Sequence, residues 1–79
     1  MDKVYLSDLG KNQKCTVISL NIENAELKRR LLDMGITKGT EILIKKIAPL
    51  GDPIDIELRG YELAVRKKDV ANIEVEVIC

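Results

Sequence analysis

Two stretches of the chain alternate without interruption: Ile54-Asp55-Ile56-Glu57-Leu58 and Ile73-Glu74-Val75-Glu76-Val77 carry an apolar side chain at every second position. Successive side chains of an extended strand point to opposite faces, so each stretch has one face to bury and one to leave wet, the pattern of antiparallel sheet. Cys15–Leu20, Glu41–Ile47 and Tyr61–Val65, short and mostly rich in β-branched residues, read as further strands. Only Asn24 to Met34 repeats at the helical period, with Leu27, Leu31 and Met34 at i, i+4 and i+7. About five strands with so little helix to cover them bury their inner faces best by curling around a shared interior, which also removes most exposed edges.

The length agrees. At 79 residues the chain holds one core, since halving it would leave each part below the size that folds unaided. A single domain over residues 1–79 is expected. Hydrophobic residues make up 46%, with no Phe or Trp, so that core is built from Ile, Leu and Val. Leu6-Ser7-Asp8-Leu9 reads as a helical turn tucked onto it. Asn24, or Asn21 one turn earlier, can cap the helix, Glu26 suits its positive end and pairs with Arg30 at i, i+4, and Gly35 supplies a left-handed exit that folds Ile36 back on Leu31. The expected fold is mainly β: a small SH3-like barrel of about five antiparallel strands, one inserted α-helix over residues 24–34 and a short N-terminal helical turn.

Several kinds of chemistry are poorly provided for. Without His, neither the usual general base near neutral pH nor a Ser-His or Cys-His nucleophile can be assembled. Gly35-x-x-x-Gly39-Thr40 lacks the lysine of a phosphate loop and leads into a strand, where such a loop opens a helix. Asp52, Asp55 and Glu57 could gather in one hairpin, but alternation puts the last two on a wet strand face, and no ligand set has metal-site spacing. No enzyme activity, cofactor or metal is expected, and a ferrous carrier is the third-ranked reading. The leaderless N-terminus and short apolar runs point to the cytoplasm, with no direct membrane insertion. Cys15 and Cys79 are expected to stay reduced there.

Partner binding remains. Thirteen Lys+Arg balance thirteen Asp+Glu, so the long-range field that draws proteins to nucleic acid is missing, and Tyr5 and Tyr61 are the only aromatics for stacking on bases. Lys28-Arg29-Arg30, Lys45-Lys46 and Arg66-Lys67-Lys68 nevertheless keep a nucleic-acid-binding small barrel as the alternative. In Ala48-Pro49-Leu50-Gly51-Asp52-Pro53 two prolines stiffen a loop with Leu50 at its tip. Leu50 there either inserts into a partner's groove at low entropic cost or packs on the helix.

Three stretches carry a family likeness: Arg30-Leu31-Leu32-Asp33-Met34-Gly35-Ile36 with Gly39-Thr40, then Ala48 to Ile54, then Arg59-Gly60-Tyr61-Glu62-Leu63-Ala64-Val65-Arg66. In order and spacing they resemble the signature stretches of the FeoA family of ferrous iron transport proteins. The resemblance implies an SH3-like barrel and a cytosolic accessory role, with the membrane transporter FeoB, which bears a cytosolic GTPase domain, as the partner to be modulated. It implies recruitment to the inner face of the membrane, and weak self-association is compatible with it. Docking is expected to use Arg29, Arg30, Pro49, Leu50, Gly51, Asp52, Arg59 and Arg66. Asn12 stands where the family often has Gly, a change that the left-handed tolerance of Asn accommodates. More distantly the chain resembles the SH3-like regulatory domain of metal-dependent repressors, without a helix-turn-helix.

Overall fold

The alternating side chains divide as their period requires: Ile54, Ile56, Leu58, Ile73 and Val75 are buried, while Asp55, Glu57 and Glu74 are only partly covered and Glu76 is exposed. The computed structural model describes residues 3–78. Along the chain run β1 (Val4–Tyr5), a 3₁₀ turn (Leu6–Asp8), β2 (Lys14–Leu20), α1 (Ala25–Asp33), β3 (Glu41–Ile47), β4 (Ile54–Leu58), β5 (Tyr61–Val65), a second 3₁₀ turn (Lys67–Asp69) and β6 (Ile73–Ile78).

The six strands form one antiparallel sheet in the order β1-β6-β2-β3-β4-β5. Register shifts at Val17/Ser19 in β2 and Ile44/Lys46 in β3 mark bulges, which bend a strand and sharpen its twist. The whole chain is nearly isometric, with extents of 29 × 27 × 24 Å. The interior is aliphatic, joined by Cys15 from β2 and by Leu6 and Leu9 from the first turn. One strand was not foreseen. Val4 and Tyr5 pair with Val75 and Glu74 and so extend the sheet by a sixth strand, too short to carry any period of its own.

Helix α1 begins where its cap allows. Asn24 Oδ1 accepts from the Leu27 N–H at 3.1 Å, so Asn24 and not Asn21 is the cap. At the other end Gly35 turns left-handed at φ +94°, its N–H donates to Leu32 O and the Ile36 N–H donates to Leu31 O, each at 3.0 Å. Those two bonds make the Schellman motif, and they bring Ile36 and Leu31 together in the core. Asn12 likewise takes the left-handed conformation at φ +71°.

Two local expectations give way. Arg30 lies on Asp69 and not on Glu26, because a partner across the fold, in the second 3₁₀ turn, is in reach. Val77, the last apolar residue of its alternating run, is 38% exposed, since alternation assigns a face of the sheet and not a depth beneath it.

Candidate partner interface

The last carbonyls of any helix lack intrahelical partners, and here residues from the β4–β5 turn supply them. Tyr61 Oη donates to Met34 O, and Arg59 Nε donates to Gly35 O at 3.3 Å. The same guanidinium donates through Nη2 to Thr37 Oγ1 at 3.1 Å and to Thr40 Oγ1 at 3.0 Å. Thr40, the one buried polar residue among those described, also donates to Gly35 O at 3.1 Å and lies 2.9 Å from Thr37 Oγ1. Arg59 itself is held at φ +48°. Of the residues expected to meet a partner, Arg59 is therefore already engaged inside the chain. A β-carbon on Gly35 would stand 2.9 Å from Tyr61 Oη and 3.3 Å from Arg59 Cδ, so any other residue there must push these side chains aside as well as adopt φ +94°.

A second region is built differently. The loop between β3 and β4 is held at its base, where the Ala48 N–H donates to Pro53 O at 3.1 Å and the Gly51 N–H to Ala48 O at 2.7 Å. Asp52 Oδ1 accepts from the Lys67 N–H at 2.8 Å and so ties the loop to the second 3₁₀ turn. From that turn Asp69 reaches the guanidinium of Arg66 at 3.3 Å and that of Arg30 on α1 at 3.7 Å. Pro49 is exposed and Leu50 is 96% exposed, so of the two roles open to Leu50, packing on the helix is ruled out. Arg30, Pro49, Leu50, Gly51, Asp52 and Arg66 are thus linked through Lys67 and Asp69, and Arg29 is exposed on α1 one residue before Arg30.

Asp69 was missed as a site residue in the sequence. Its i, i+3 spacing to Arg66 is visible there, but the contact to Arg30 spans the fold and leaves no local trace. Between α1 and β5 lies a shallow groove of about 210 Å³ with Leu31 and Met34 on one wall, Ala64 and Val65 on the other, and the two arginines at its rim. Such a face can recognise a protein surface. Groups for bond-breaking chemistry are not assembled on it.

Cys15 offers no reactive thiol. It is fully buried and free, and burial pushes its pKa up to about 11 against a smaller opposing effect of a hydrogen bond from the Ile42 backbone. Since the thiolate is the nucleophile, this sulfur acts as a small core side chain. Cys79 lies outside the described residues. Among the described residues no group of three or more Cys, Asp or Glu is arranged to hold a metal ion, and no helix is long and apolar enough to cross a membrane.

The barrel, the Schellman exit and the loop coincide with a known domain: the FeoA domain matches residues 4–77. The chain belongs to the FeoA family. A FeoA-like protein from Clostridium acetobutylicum is 39% identical, with TM-score 0.89 over all of this chain and 91% of that one. The FeoA of Stenotrophomonas maltophilia, solved with zinc and described as a prokaryotic SH3 domain protein, is 25% identical with TM-score 0.80, covering 92% of this chain and 89% of that one. A Porphyromonas gingivalis fusion of Fe(2+) transport protein A with the Fe(2+) transporter FeoB is 32% identical over 73 residues, which span 92% of this chain and 8% of the fusion. A manganese-dependent transcriptional repressor shares the fold alone, at 12% identity and TM-score 0.89 over 99% of this chain and 42% of the repressor. The SH3-like barrel expected from the sequence is therefore the fold of this FeoA protein.

Proposed function

We propose that this chain is an accessory protein of ferrous iron uptake that docks on the cytosolic part of a FeoB-type transporter and modulates its GTPase domain by protein contact. The observation that carries the proposal is the fusion relative, in which a segment like this chain and a FeoB transporter are one polypeptide. Covalent joining holds two domains at high effective concentration, an arrangement that serves partners whose free contact is weak. The S. maltophilia relative, put forward as a ferrous iron transport activating factor, supports the same role. On this reading the chain works in the cytoplasm at the inner membrane face and performs no catalytic step.

The docking face in this proposal is the loop Pro49, Leu50, Gly51 and Asp52 with Arg66, Arg29 and Arg30 beside it. Leu50 is almost fully exposed on a loop braced at its base and by Asp52, so little freedom is left to lose when it enters a partner's apolar pocket. The arginines suit a carboxylate-rich rim around that pocket. Arg59 enters indirectly, by fixing the helix exit that leads away from Arg29 and Arg30. Titration of the transporter's cytosolic domain, with and without GTP analogues, should give saturable binding that Leu50→Asp weakens at least tenfold while the circular dichroism of the chain is unchanged. Equal binding by the variant would remove the loop from the interface, and no binding under any nucleotide condition would sink the proposal.

A further inference from the structure

Along β1, β2 and β6 lies a larger groove, about 550 Å³, lined by none of the docking-face residues. Its apolar residues are Val4, Ile18 and Val77, with Val75 beneath. Ile18 follows the buried Val17 and so falls on the outer face by simple alternation; it is left unpaired between the paired Val17 and Ser19, and at 36% exposure it puts an aliphatic side chain on that face. Val77 beside it is 38% exposed. The rim is acidic on balance, with Glu76 exposed and Glu74 3.8 Å from Lys3.

The same chain carries the complement of this groove. Leu50 projects from its braced loop, and the neighbouring turn presents the exposed Lys67 and Lys68, while Asp52 accepts from the Lys67 N–H and Asp69 is paired with Arg66 and Arg30, so the surroundings of the tip are cationic on balance. An apolar tip with a net cationic surround matches, in charge sign, an apolar slot whose rim of Lys3, Glu74 and Glu76 is net anionic. We infer that the β1–β6–β2 groove receives the Leu50 loop of a second copy, so that the chain self-associates head to tail. Because tip and groove are different patches, the contact is heterologous, and each added copy leaves one tip and one groove open. One inserted side chain with a charged rim buries far less than the 1,200 Å² or so of a standard stable interface, so the association is weak and falls with added salt. It draws on Leu50, as the transporter proposal does, and a copy whose loop is seated in another copy is withheld from the transporter.

Sedimentation velocity under reducing conditions tests this with the chain alone. The wild type should show an average mass that climbs with concentration up to the millimolar range, passes beyond a dimer, and drops when salt is raised. Leu50→Asp and Val77→Asp should each stay monomeric. Mixed in equal amounts they should form a one-to-one pair, since the first keeps its groove and the second keeps its tip. Should Val77→Asp fail to fold, the exposed charge reversals Glu76→Lys and Lys68→Glu serve instead: each weakens association alone and restores it when mixed with the other. A wild type that remains monomeric, one that stops at a dimer, or variants that do not complement each other would overturn the inference. Val77→Asp should still bind the transporter's cytosolic domain in dilute solution, so a failure of self-association leaves the docking proposal standing. Loss of transporter binding by Val77→Asp would assign the groove to the transporter and overturn the inference.

Discussion

At the helix exit, Gly35 at φ +94° lies under Tyr61 and Arg59; at the β3–β4 loop, Gly51 at φ +88° has no atom within 4 Å of where a β-carbon would be. Around the first, the Met34 and Gly35 carbonyls and both threonine hydroxyls are matched to donors and acceptors, and Ile36 is fully buried. Around the second the loop is bonded at its base and through Asp52 to Lys67, and the neighbouring Leu50 is left in water. Both segments belong to the motif stretches that mark the family. In the fold they do different things: the first ties the end of the helix to the β4–β5 turn, and the second holds a side chain outward.

Putting the same residue at both glycines gives the widest contrast. Gly35→Val meets both the left-handed backbone and a 2.9 Å contact, and should cost roughly 3 to 5 kcal/mol in urea unfolding, near the whole stability of so small a domain. Gly51→Val meets the backbone restriction alone and should cost about 1 to 2 kcal/mol. Similar losses at the two sites would erase the contrast.

The core side of the comparison responds to pH. The Cys15 thiol is raised from its ordinary value of 9.0 to about 11, so the folded state holds its proton longer than the unfolded chain does. Its contribution is complete below pH 9 and is lost as pH climbs toward 11, a change on the order of 3 kcal/mol. Unfolding of the wild type and Cys15→Ala across that window should show the wild type falling more steeply. Parallel curves would mean that water reaches the sulfur. A smaller effect is expected from Arg59→Ala, about 1 to 2 kcal/mol, because Thr40 keeps its bonds to Thr37 and Gly35 when the guanidinium is removed.

What the sequence revealed follows the same division. β4 and β6 were legible because their apolar residues fall without interruption at every second position, α1 because Leu27, Leu31 and Met34 recur at the helical period, and the turn at Gly35 because a glycine followed by an aliphatic residue marks a helix end. β1 was not, since two residues become a strand only by pairing with Val75 and Glu74 some seventy positions away. Arg59 could be read as a surface arginine but not as a clamp, since its acceptors at Gly35, Thr37 and Thr40 lie 19 to 24 residues away. The loop's stiffness was visible in its prolines. Whether Leu50 lay in or out depended on what stood opposite, and only the fold could decide it.

Chemical-shift mapping bears most directly on the claim that this barrel works by touching a transporter with its unburied side. With isotope-labelled chain and the unlabelled cytosolic domain of the transporter, shifts should concentrate at Ala48 to Pro53, Arg66 to Asp69 and Arg29 to Arg30, and stay small at Gly35 to Thr40 and Arg59. Perturbations gathered at the helix exit, with the Leu50 loop unmoved, would contradict it.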